Sequence, residues 1–118
     1  MNVVITESVR QEGLEAAVRK VAELFPKVIA RALRPRVRVI FEVLNDAQGQ
    51  KWVLVALEYD GSRVTERDIF EPAALNDLEF MRERFEWLWG RALRMRLIQR
   101  GDEPIEDEEG LVVQVENR

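Results

Sequence analysis

The chain has 118 residues, 47% apolar and 34% charged, the balance of one folded domain rather than of a disordered or membrane-embedded chain. It holds no cysteine and no histidine, which removes disulfides, thiolate nucleophiles, the usual general base and the commonest metal ligands. The net charge of −4 is uneven: residues 101–118 carry seven acids and one base, or −6, and leave residues 1–100 at +2.

No basic flank and apolar run of a secretory signal opens the chain, and no apolar stretch approaches the ~18 residues of a membrane span. A cytoplasmic protein without a membrane segment is the expectation. In chain order, Asn2–Thr6 is a short β-branched run that predicts a strand. Ser8 with Gln11 three residues on reads as a capping box. Leu14, Ala17, Val18, Val21, Phe25, Val28 and Ala32 then recur at helical spacing, predicting a helix through to Leu33, kinked or split near Phe25 by Pro26 and ended by Pro35.

Val37, Val39, Phe41 and Val43 alternate along Arg36–Leu44, and Lys51–Tyr59 is apolar on both faces, with Asn45–Gln50 as the turn between. Pairing Val43 with Val53 and Val37 with Tyr59 gives one wholly apolar face, whereas a one-residue slip mixes Trp52 and Glu58 into it, so pattern selects the first register. The opposite face still presents Ile40, Leu44, Trp52, Leu54 and Ala56, which predicts a cover. Asp60-Gly61 signals a hairpin into a charged edge strand over Arg63–Phe70. Asn76 or Asp77 caps a second helix carrying Leu78, Met81, Phe85, Leu88, Ala92 and Met95. Gly101 and Gly110 bound an acidic stretch, read as a loop over 101–110, and Leu111–Val115 is a last short strand.

The expected fold is therefore one two-layer α+β domain over residues 1–118 in the order βαββ(β)αβ. It is either ferredoxin-like or an α-β-β-β-α core, with an antiparallel sheet. Glu23–Arg36 and Glu83–Arg96 share a pattern at an offset of 60 residues, through Arg31-Ala-Leu-Arg34 and Arg91-Ala-Leu-Arg94. A duplicated half explains this, and so do two helix C-termini that favour arginine.

The chemistry is sparse. Asp46, Glu58 and Asp60, with Glu12 or Glu15 on the first helix, form a set that in outline resembles the acidic metal site of PD-(D/E)XK nucleases. The Glu58-Tyr59-Asp60 run, however, puts an acid where that motif has its lysine. Glu58 also has a simpler partner in Arg63 across the hairpin. Ser8 and Ser62 read as a cap and a turn residue, and the six glycines are too scattered for a phosphate loop. No catalytic residue, metal ligand or cofactor is assigned.

Surfaces are more informative. Arginine outnumbers lysine 15 to 3, and eight of these forks group as Arg31, Arg34, Arg36, Arg38 and as Arg91, Arg94, Arg96, Arg100. They are candidate anion or nucleic-acid contacts. A sequence pI near 5.0 and the pull of helix ends on cations favour the simpler reading. On the second helix Phe80, Trp87 and Ile98 lie roughly 140° from the core stripe, counting about 100° per residue. With Ile40, Trp52 and Leu54 of the second sheet face they are the expected partner interface. The function expected is a non-enzymatic interaction module (regulatory, adaptor or chaperone-like) that forms a homodimer and meets further protein partners. A nucleic-acid-binding accessory protein comes second and a metal-dependent nuclease third.

Overall fold

The computed structural model describes residues 1–99 and, as paired backbone only, two strands at 102–106 and 112–116. Strands β1 (Asn2–Ile5), β2 (Val37–Asn45), β3 (Lys51–Tyr59) and β4 (Val64–Phe70) form one sheet in the order β1-β2-β3-β4. Three short helices, α1 (Glu7–Gln11), α2 (Glu15–Ala22) and α3 (Phe25–Val28), connect β1 to β2, and the long helix α4 (Leu78–Gln99) follows β4.

The alternation of β2 and β3 decides their register, with Val43 opposite Val53 and Val37 opposite Tyr59. Val37, Val39, Phe41, Val43, Val53, Val55, Leu57 and Tyr59 are all buried on one face. The helices supply Val9, Val18, Val21, Phe25, Met81, Phe85 and Leu88 to the same core. Its centre is an aromatic cluster: Phe25 stacks on Phe85 with centroids 3.8 Å apart, and Phe41 meets both edge-on at 6.3 and 6.4 Å.

Four expectations need correction. The sheet is mixed, because β1 runs parallel to β2; the crossover of more than thirty residues through α1–α3 is what makes that direction available. The first helical region is broken twice. Gly13, at φ +70°, adds an unexpected turn between α1 and α2, while the expected split at Pro26 opens α3 as a separate segment. Ile29 is then extended and Arg31–Arg36 forms a 3₁₀ helix around Pro35, so the α-helical run stops at Val28 rather than Leu33.

Ser8 does not cap. It sits inside α1 and its Oγ accepts the Val43 N–H at 2.9 Å, tying α1 to β2. Finally, part of the acidic stretch read as loop is the strand β5 (Asp102–Glu106), which pairs antiparallel with β6 (Val112–Glu116) in a separate two-stranded sheet. A partner five residues away costs less closure entropy than one in the main sheet. Residues 100, 101, 107–111 and 117–118 lie outside the described ones, Arg100 and the rest of the acidic stretch included.

Candidate functional site

The two faces of the sheet are finished differently. Over the core face, α4 is bound to β4 by ion pairs: Arg84 makes a two-point contact with Asp68 at 2.7 and 2.8 Å, and Arg91 reaches Glu66 at 3.2 Å. Trp87 lies between these arginines, each guanidinium 4.7 Å from its ring centroid. The indole is 45% exposed, yet its neighbours within the chain account for its position. Phe80 and Ile98 share this helix flank, both 40% exposed. Asp77 caps α4 as expected, its carboxylate accepting the Phe80 N–H at 3.0 Å.

The other face carries Val4, Ile40, Leu44, Trp52, Leu54, Ala56 and Ile69, as the strand registers require. No described helix packs on it, and its one buried member, Ala56, stands apart from the main core. Ile69 is 53% exposed, the most of any large apolar side chain described.

Trp52 on this face is held in place. Its indole N–H donates to Asp46 Oδ2 at 3.0 Å, while Asp46 Oδ1 accepts the amides of Gln48 and Gln50, both at 2.9 Å. The Trp52 N–H first, and then the Gln50 and Gln48 amides, hold the Asp46 carboxyl below the usual aspartate range. One carboxylate thus closes the β2–β3 turn and fixes the ring beside a hollow of about 240 Å³, which Leu44 and Ile69 help to line. Glu42 and Arg67, on the same face, make no ion pair among the described residues.

The six predicted interface residues therefore fall into two groups. Ile40, Trp52 and Leu54 share the open sheet face, whereas Phe80, Trp87 and Ile98 lie on the helical layer. Leu44 and Ile69 join the first group. Ile69 was missed because its strand reads as a charged edge; alternation against Asp68 was the available signal.

The arginine clusters are largely committed inside the chain. Arg36 and Arg96, equivalent positions in the 60-residue similarity, converge on Asp60, Arg36 through a two-point contact and Arg96 at 2.6 Å. These pairings, Arg36 first, hold the Asp60 carboxyl far below the usual aspartate range. Arg38 pairs with Glu58 at 3.4 Å, replacing the expected Arg63, since Arg38 stands directly opposite in the β2–β3 register. Arg31 and Arg94 are exposed, and Arg34 donates to the Ile29 carbonyl at 3.1 Å. The shared pattern occupies a 3₁₀ helix in one place and an α-helix in the other, so the resemblance does not extend to local structure.

The acids singled out are dispersed. Asp46 and Asp60 flank opposite ends of β3, Glu12 contacts Lys51, and Glu15 holds Arg19 at 2.9 Å. Among the described residues no three acids gather where a metal ion could be held, and no helix is long and apolar enough to cross a membrane. No known family model, curated protein or solved structure matches the chain.

Proposed function

We propose that the chain is a non-enzymatic protein-interaction module of the regulatory, adaptor or chaperone-like kind, and that its open sheet face docks a second copy of itself. The observation that carries this reading is an apolar face that no described helix covers, with Trp52 already fixed upon it. An aromatic immobilised before binding loses little further entropy, which is what makes such residues dominate interfaces. Strands about 4.8 Å apart and rising about 3.3 Å per residue span roughly 14 by 26 Å between outer axes. That is at most about 360 Å² between strand axes, so side chains at the margins must supply the rest of the ~800 Å² per partner of a stable interface.

Charge points to a second copy as occupant. Glu42 and Arg67 lie two strands apart, on either side of Leu54 and Ala56 of β3. A two-fold axis running between the two sheets and beside these β3 residues lays Glu42 of each copy on Arg67 of the other and stacks the apolar centre on itself. Packing the Phe80 and Trp87 flank on the partner's open face would instead join unlike surfaces from opposite layers. That is a head-to-tail contact prone to open-ended assembly.

Light scattering after size exclusion tests the reading. At tens of micromolar the wild-type chain should run at twice 13.8 kDa, and Leu54→Glu should run as a folded monomer. A monomeric wild type overturns the homodimer. Nucleic-acid binding through exposed Arg31 and Arg94 stays second; it predicts tight binding near physiological salt that Arg94→Glu abolishes.

A further inference from the structure

A groove of about 600 Å³ runs along the core side of β1, away from the open sheet face. Val3, Ile5, Ala22 and Pro26 give it an apolar lining, and Arg10, Arg19, Glu23 and Arg34 supply its charges. β1 is an edge strand. The Thr6 N–H donates to the Phe41 carbonyl at 3.1 Å, and backbone groups alternate along a strand, so Thr6, Val4 and Asn2 face β2 in the parallel ladder. The N–H and C=O of Val3 and Ile5 point the other way, out along the free edge, beside the groove that their side chains line.

The charges distinguish the occupant. Arg10 is shared by Glu7 at 3.5 Å and Glu15 at 3.6 Å, and Arg19 lies on Glu15 at 2.9 Å, so both are matched within the chain. Arg34 is different: only its Nε is engaged, by the Ile29 carbonyl, which fixes the guanidinium and leaves its terminal N–H groups without an ion pair among the described residues. Its place is set by sequence, just before the start of β2, where Arg38 stands opposite Asn2. Glu23 in the same lining disfavours a purely anionic ligand such as a fatty acid and suits one carrying both signs.

We propose that this groove binds an extended peptide segment of another protein, which adds to β1 as a fifth strand and sets a carboxylate against Arg34. Strand addition supplies backbone pairing at Val3 and Ile5, and alternate apolar side chains of the peptide enter the groove. A four-residue edge of about 13 Å fixes the length that can pair. The site lies apart from the self-association face, so either reading can fail without the other.

The test is amide NMR of the full ¹⁵N-labelled chain, titrated with a pool of eight-residue peptides carrying alternating valine or isoleucine and a glutamate, and then with its tightest member. Saturable shifts of the Val3 and Ile5 amides and of Arg34 Nε are expected. Arg34→Ala should weaken binding about tenfold, the loss of one two-point charged contact. N-methylation of alternate peptide amides along the pairing edge should abolish binding with the protein untouched. C-terminal amidation separates the carboxylate sources: unchanged binding assigns it to the glutamate side chain and weakened binding to the terminus, and either supports the site. No shift at about 1 mM peptide, equal binding of the N-methylated peptide, or shifts produced by dodecanoate but by no peptide would each overturn the proposal.

Discussion

The same two strands, β2 and β3, build both faces of the sheet, and the faces end differently. On one, Phe41, Val55 and Leu57 are fully buried, Phe41 edge-on to Phe25 and Phe85. On the other, Ile40, Leu54 and Trp52 keep contact with solvent, with Leu44 and Ile69 more exposed still. What separates the faces is therefore not the apolar content of the strands but which side the helices cover. A sheet with apolar residues on both sides and helices on one presents a face suited to another layer.

Stability measurements should respect this asymmetry. The largest loss is expected at the covered face: Phe85→Ala removes a ring stacked on Phe25 and touching Phe41, and should cost about 3–5 kcal/mol in urea unfolding. A loss under ~1 kcal/mol would mean that the covered face is no better packed than the open one.

The next effect lies at the sheet's end, where Asp60 joins the start of β2 to α4. Asp60→Asn keeps the tolerance for φ +55° but removes the charge, and should cost about 1–2 kcal/mol, discounted for the partial exposure of Arg36. Because the folded-state pKa of Asp60 is depressed, its contribution is fully present above the ordinary aspartate range and is lost as pH falls below about 4. The wild-type advantage over Asp60→Asn should therefore shrink between about pH 4 and pH 2. An advantage that grows on acidification has the wrong sign.

The smallest effect on folding is expected on the open face. Glu42→Arg and Arg67→Glu should each change monomer stability by under ~0.5 kcal/mol while weakening self-association, and the double exchange should restore it, read by sedimentation velocity. Failure of the double exchange to recover association would remove the proposed pairing.

The β2–β3 register was legible in the sequence because one slip turns a whole face, so alternation alone decides it. Asp77 was legible because capping is local. The first helix was overextended because its apolar spacing continues unbroken past Gly13 and Ile29, whereas backbone conformation at those residues ends each segment. Ser8 looked like a cap, yet its partner is the Val43 amide, 35 residues away. Asp60 was visible as a turn residue and as one of a scattered set of acids, not as an arginine partner. Its two guanidinium partners come from positions 36 and 96, and neither local pattern nor spacing signals that meeting. The groove beside β1 was hidden for the same reason, since it exists only once α2 and α3 fold back over an edge strand.

The most direct test of the open face is an isotope-filtered NOE experiment on a mixture of ¹³C-labelled and unlabelled copies. Cross-peaks between the Ile40, Leu54 and Ile69 methyls of one copy and the Trp52 indole of the other are predicted. Their absence in a sample of twice the monomer mass, or intermolecular cross-peaks confined to Phe80 and Trp87, would contradict docking through the sheet.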